Sequence, residues 1–330
     1  MDEQKLITAE KTQRERDPYL FSGWRFTAMI VVIILSAVGY LLFSIWGGWR
    51  EVLSAVSKVG VGGIAFALTL SLVNYTLRFV RWQHYLGLLG FHVPWLRSFR
   101  IYIAGFSLTA TPGKAGEALR SVFLKGYGVT YRRSIGALIS ERFSDLISVS
   151  LIAAGGLWVF PQARPAVIAV AVVIVFVLFM IQKNAWLRAI EKLADKYLPS
   201  RFSSGVDFFI DTVLAFRSCF NFWALVYGIG LGVLAWGAEA TAFWMILRLL
   251  GCDIPCLTAF SIYAFSLLVG AVTFLPGGLG GTEVAMIELL HLSGVPFSDA
   301  IAATLVIRIA TLWFSIFLGV AALPKLRGQE

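Results

Sequence analysis

The sequence predicts an all-α polytopic membrane protein, organised as an inverted-topology repeat with two re-entrant helical hairpins. Three observations carry that expectation. Of 330 residues, 58% are hydrophobic and 14% charged, where a soluble domain carries about 25% charged residues. Several windows stay apolar for the roughly 20 residues that a helix needs to cross a bilayer. The clearest are Phe26–Trp46, Ala166–Ile181 with its flanks, Trp223–Ile246 and Ala300–Leu323. Two further apolar stretches are each broken by a Pro-Gly joint followed by a glutamate, "TPGKAGE" and "LPGGLGGTE".

Taken in order, residues 1–25 form a polar tail with Lys5, Lys11, Arg14, Arg16 and Arg25. No small-residue cleavage pattern follows the first apolar run, so the tail does not read as a cleavable signal peptide. Residues 26–60 hold the first span, 26–46, and an outer loop. The first repeat, 61–159, places spans 61–81 and 134–159 around a hairpin at 97–127. Residues 160–221 give a connecting span, 165–182, and a helix on the cytoplasmic surface. In that helix Trp186, Leu187, Ile190 and Leu193 share one face and charged residues fill the other. The second repeat, 222–323, places spans 222–247 and 299–323 around a hairpin at 258–293. Residues 324–330 form a cytoplasmic tail. The segments after the joints, Ala115–Tyr127 and Thr282–Leu292, are too short and too polar to span. Hairpins that enter and leave on one side suit them, because broken backbone at membrane depth is tolerated where protein or a cavity surrounds it.

The basic residues orient the chain. With the N-terminus inside, eighteen Lys and Arg fall in cytoplasmic segments and four (Arg50, Lys58, Arg164, Arg248) on the opposite side, as the positive-inside rule requires. The expectation is a multi-pass protein of the cell inner membrane with both termini cytoplasmic. The same rule accounts for the net charge of +9 without nucleic acid as a partner.

The joints fall in one register. Glu117 and Glu283 are 166 residues apart (283 − 117), and at that offset Gly128-Val129 meets Gly294-Val295 and Arg142 meets Arg308. Pro112-Gly113 falls two residues from Pro276-Gly277. The connecting span makes the second unit start on the side where the first did not, so the two hairpins open to opposite faces. Secondary transporters are built in this way, with their site near the midplane between interrupted helices.

Arg142 and Arg308 lie about eight and nine residues into their spans, roughly 12–14 Å deep. Charges at that depth face the bundle interior and pair. Glu117 and Glu283 are the first-choice partners, with Glu141, Asp145 and Glu239 at comparable depth. A helix starting after a glycine joint turns its N–H groups toward the break and favours an anion there. Pro112, Gly113, Lys114, Gly116 and Arg120 at one joint, and Pro276, Gly277, Gly278, Gly280 and Gly281 at the other, are therefore candidate substrate residues. The plainer alternative is that the glycines serve tight helix contact and the Glu–Arg pairs lock each hairpin. "RFVRW", with Arg78 and Arg81, reads as a snorkelling, interfacial span end, with lipid-phosphate binding as a second role. Cys252 and Cys256 read as ordinary small residues. No metal-ligand set, P-loop or nucleophile motif is present ("GKAGE" lacks GxxxxGK[ST]), so neither a cofactor nor an enzymatic activity is expected.

"RFVRW", "TPGKAGEALR", "ERFSDL", "LPGGLGGTE" and the late arginine of "LVIRIATLW" resemble the membrane region of the lysylphosphatidylglycerol synthase/flippase superfamily, with its uncharacterised and hopanoid-associated members. The likeness extends from about residue 25 to 325. It implies movement of lipids with polar headgroups. The chain stops at Glu330, so the aminoacyl-transferase domain of the bifunctional members is not expected. The leading expectation is a lipid transporter or flippase for a phospholipid, a hopanoid or a polyprenyl-phosphate-linked lipid, with proton coupling through the glutamates. The alternative is a membrane enzyme in lipid or glycolipid synthesis, or a scaffold for a lipid-synthesis enzyme or glycosyltransferase. Membrane lipids are the expected partners in either case.

Overall fold

The computed structural model describes residues 49–109, 119–183, 186–187, 203–273 and 275–323. The two tails, the expected first span at 26–46, most of the expected surface helix, and Pro112 to Glu117 of the first joint lie outside the described residues. Those described form an all-α, multi-pass bundle. Its helices are α1 Trp49–Leu88, α2 Trp95–Ala104, α3 Leu119–Leu124, α4 Tyr131–Ala154, α5 Arg164–Gln182, α6 Ser203–Ser218, α7 Phe222–Leu249, α8 Cys256–Val272, α9 Gly281–Leu292, α10 Phe297–Arg308 and α11 Phe314–Ala322. A wide π turn at Ile309–Trp313 joins α10 to α11 into one rod.

Among the described residues, four stretches are long and apolar enough to cross a membrane: Leu53–Leu88, Arg164–Gln182, Phe222–Leu249 and Phe297–Ala322. Helix α4, with 24 residues, has the length, but its charges keep it out of that set. Of those charges Glu141 and Asp145 are buried. Helix α1 is bent at Gly60, whose φ of 66° breaks the helical run. It then continues seven residues beyond the apolar window that ended at 81, because "QHYLGL" still packs on its neighbours. Tyr85 and Leu86 there are fully buried.

Helix ends repeat a local design. Leu89-Gly90 and Leu250-Gly251 close α1 and α7 with glycines at φ 84° and 87°. In both, the glycine N–H bonds the carbonyl three residues back and the next N–H bonds the one five back: Phe91 to Leu86 at 2.9 Å, Cys252 to Leu247 at 2.9 Å. This is the Schellman cap, which needs a left-handed residue. Pro94 and Pro255 then start α2 and α8, their carbonyls accepting from Ser98 at 2.8 Å and Ala259 at 3.0 Å. Gly128 and Gly294 end the segments after the joints in the same manner, at φ 77° and 89°.

Helix α1 lies along α7, α8 along α9, and α4 contacts α6, α7 and α8. Apolar burial falls into two large clusters. One gathers Phe243, Ile246, Ile262, Met286 and Leu305; the other gathers Trp82, Tyr102, Phe106, Leu124 and Phe216. Helix α5 stands apart, with Ile168, Val172, Val175 and Phe176 more than half exposed.

Candidate functional site

Helix α4 supplies the centre of the site. Glu141 and Asp145, one turn apart, are both buried and meet four arginines. Arg120 of α3 donates from Nη1 to Glu141 Oε2 at 2.7 Å, and Arg142 donates from Nη2 to Oε1 at 2.9 Å. Tyr102 of α2 donates its hydroxyl to Oε1 at 2.6 Å. Arg81 of α1 donates to Asp145 Oδ1 at 2.5 Å, as does the Trp236 indole at 2.9 Å. Asp145 Oδ2 lies 3.2 Å from Arg142 and 3.5 Å from Arg78, charge contacts without hydrogen-bond alignment. Aromatic faces complete the shell. The Arg120 guanidinium sits 4.0 Å from the Tyr102 ring centre, and Arg78 5.1 Å from that of Trp236. Gly105 gives Arg120 its path, since a Cβ there would come within 2.5 Å of Arg120 Nε. Taking such ions out of water costs several kcal/mol each, and close geometry with full hydrogen bonding is what offsets it.

The second joint is simpler. Glu283, three residues into α9, accepts from the Gly280 N–H at 2.7 Å and from Arg308 Nε at 2.6 Å. Arg308 also donates from Nη2 to the Gly277 carbonyl at 2.9 Å. One carboxylate and one guanidinium thus tie α9, α10 and the joint together. The Gly278 N–H bonds Leu275 O at 2.9 Å. At this joint, then, two N–H groups that the sequence reading offered to an anion are occupied by the protein.

Between the two charged sets lies a cavity of about 310 Å³. Its polar lining includes Arg78, Arg142, Arg308, Asp145 and Glu239; its apolar lining includes Leu146, Leu267, Leu275 and Leu312. Glu239 of α7 accepts from the Tyr263 hydroxyl at 2.5 Å. Tyr75 of α1 donates to the Thr311 carbonyl in the π turn at 2.5 Å.

Arg308 is paired with Glu283, as expected. Arg142 is paired with Glu141 and Asp145; Glu117, its first-choice partner, lies outside the described residues with Pro112, Gly113, Lys114 and Gly116. Pro276 to Gly281 form the described joint. The interfacial reading of "RFVRW" is corrected: Arg78 and Arg81 are 6% and 0% exposed, because the helix continues past them and turns both onto Asp145. Cys252 and Cys256 are unpaired thiols. Tyr75, Tyr102, Trp236 and Tyr263 were missed. The signal for them is a second register, 161 residues (263 − 102), which applies before the joints as 166 does after them. It sets Tyr102 on Tyr263, Arg78 on Glu239, Tyr75 on Trp236 and Leu89-Gly90 on Leu250-Gly251. Matched residues make matched bonds. Gln83 Nε2 donates to Val93 O at 2.7 Å, and Trp244 Nε1 to Ile254 O at 3.1 Å.

Apolar crossing helices around an ionic core define a multi-pass membrane protein with a polar site inside the bundle. The chain belongs to the family described as the lysylphosphatidylglycerol synthase TM region, which matches residues 28–319. It is 26% identical over 323 residues to a UPF0104 membrane protein of Methanothermobacter thermautotrophicus, covering 90% of this chain and 94% of that one. It is 24% identical over 316 residues to a UPF0104 membrane protein of Pyrococcus horikoshii, covering 88% and 94%. A phosphatidylglycerol lysyltransferase of Staphylococcus haemolyticus is 25% identical over 297 residues, covering 86% of this chain but 32% of that protein.

Proposed function

We propose that the chain is a lipid transporter of the cell inner membrane, moving a polar-headed lipid between leaflets, and that it is not an enzyme. One observation carries the reading: residues matched between the two halves line one cavity. Tyr75 and Trp236, Arg78 and Glu239, Arg142 and Arg308, Leu146 and Leu312 all border it. An inverted-topology repeat with two re-entrant hairpins, both termini cytoplasmic, accounts for that meeting, and sites at such junctions serve alternating access. The name of the Staphylococcus relative, with its phosphatidylglycerol substrate, supports a phospholipid among the candidate lipids.

The second joint offers a coupling step. Loss of the Glu283 charge would break the ion pair that ties Arg308 to α9, leaving the guanidinium, still held by the Gly277 carbonyl, to a headgroup; Glu117 is its counterpart in the sequence of the first joint. The test is purified protein in liposomes with a labelled phospholipid. Transport predicts that the label changes leaflet with its chemistry intact, faster under an imposed pH gradient, and that Glu283→Gln removes the gradient's effect. A label that stays in its leaflet, or is chemically converted, would overturn the proposal.

A further inference from the structure

We infer that the π turn at Ile309–Trp313 is a register switch. Straightening it into α-helix rotates α11 by about one residue, roughly 100°, parts α11 from the turn that follows α2, and changes the cavity wall. The inference rests on the repeat behind the transporter reading and adds a moving part to it.

The matched halves show two forms of one helix. At the 166-residue offset Tyr131 meets Phe297, and these residues open α4 and α10. Helix α4 then runs unbroken for 24 residues to Ala154. Its counterpart takes a π turn of five residues, in which the Phe314 N–H reaches the Ile309 carbonyl five positions back. Such turns are rare and concentrate at functional positions. Halves that exchange conformations present each form once, so α4 shows what the α10–α11 rod becomes. The sequence "IATLW" contains neither proline nor glycine, the usual fixed causes of a helix break, so the turn can close.

Fixed points stand on both sides of the turn. Upstream, Arg308 is tied to Glu283 and to the Gly277 carbonyl, so the rotation falls on α11. Within the turn, the Tyr75 hydroxyl latches the Thr311 carbonyl at 2.5 Å, and the Tyr75 ring lies 6.2 Å from that of Phe314. Downstream, Gly319 lets α11 touch the backbone of the Gly105–Leu108 turn. A Cβ at Gly319 would collide with Ser107 N and lie 2.7 Å from the Phe106 carbonyl carbon. An α-helix winds further per residue than a π-helix, so straightening carries each residue of α11 to the place of the next. Leu318 then takes the place of Gly319, which the Phe106–Ser107 backbone cannot admit, and α11 and that turn part. Phe314 takes the place of Ser315 on the cavity wall. The rotated helix still suits its surroundings. Phe314, Leu318 and Ala322 form one stripe that already packs, partly buried, against the cluster of Trp82 and Phe106.

The test is pulsed electron paramagnetic resonance on the full chain in lipid nanodiscs. Spin labels go on cysteines placed at Val226 of α7 and Val320 of α11, with Cys256→Ser removing the exposed native thiol. Both positions are exposed, and so is the place of Ala321 that residue 320 would take. A turn of roughly 100° on a helix of about 5–6 Å radius moves the label by about 8 Å. Tyr75→Phe removes the latch and should raise the population at that second distance about fivefold, the weight of one hydrogen bond. Gly319→Ala should shift it the same way, since its methyl collides at the present face and not at the exposed place now held by Val320. Deleting Ala310 removes the extra residue of the turn and should abolish the second distance in Tyr75→Phe. One unchanged distance in both substitutions overturns the switch and leaves Gly319 a packing glycine. A second distance that survives the deletion overturns it too. Should Gly319→Ala or the deletion fail to fold, Tyr75→Phe, which loses a single oxygen atom, still decides. A second distance without lipid movement between leaflets would refute transport and keep the switch. Lipid movement beside one unchanged distance would do the reverse.

Discussion

Glu141 holds Arg120, Arg142 and Tyr102 within 2.9 Å, so neutralising it strands cations from two helices at once. Glu141→Gln should cost about 3–5 kcal/mol, the usual result of breaking a buried pair from one side, read as a fall in the thermal midpoint of the detergent-solubilised protein. Arg132→Ala is the control. Its partner Asp211 lies at 2.6 Å, but the two side chains are 38% and 50% exposed, and such pairs contribute about 0–1 kcal/mol. Arg308→Lys keeps the charge yet should still destabilise the second joint, because one ammonium cannot reproduce the fork that spans Glu283 and the Gly277 carbonyl. Glu141, Arg142, Asp145 and Arg308 were legible in the sequence as charges inside apolar spans, whereas Arg78 and Arg81 read as an interfacial span end and Arg120 as part of the joint. The partners were not legible, except for Arg308 with Glu283. Arg81 meets Asp145 across 64 positions, through the relative rotation of two helices, and a hydropathy window cannot see rotation.

Helix ends carry a different kind of constraint. Gly251 sits at φ 87°, where a side chain is strained, and a left-handed residue costs roughly 1–2 kcal/mol. Gly251→Ala should lower the melting temperature. Gly62→Ala, in a helical position with nothing within 4 Å of the new Cβ, should raise it slightly through helix propensity, by about 0.5–1 kcal/mol. The long apolar helices and the break at the second joint were readable from hydropathy and the Pro-Gly motif. The matched caps before the joints were not, since the spacing between halves changes from 161 to 166 at the joints and a single offset finds only the later part. "LLGFHVPW" and "LLGCDIPC" become visible as a pair only when that change is allowed.

For the molecule as a whole, the sharpest test of the proposed topology is sidedness. Cysteines placed singly at Arg97 and Gly294 should label from opposite faces of intact cells, whereas labelling of both from one face would break the inverted arrangement. The native thiols give an internal check. Cys256 is exposed while Cys219 and Cys252 are buried, and burial pushes the Cys219 thiol up to about 11. Thiolate is the reactive form, so maleimide at neutral pH should consume Cys256 well ahead of the other two.

The length of α7 has a consequence for the membrane around the protein. Its 28 residues span about 42 Å at 1.5 Å each, against a hydrocarbon layer of about 30 Å. The portion of α1 after Gly60 is as long. Both helices must therefore tilt or reach into the headgroup layer, and the tilt follows bilayer thickness. Because α1 carries Tyr75 and Arg78 and α7 carries Trp236 and Glu239, and the two lie along one another, thinning or thickening the bilayer should shift two walls of the cavity together against the rest of the bundle. The 19 residues of α5, about 28 Å long, match the layer without tilting. Vesicles made from a series of acyl-chain lengths should thus tune lipid retention through an optimum, with hydrophobic thickness acting on the site as a ligand would.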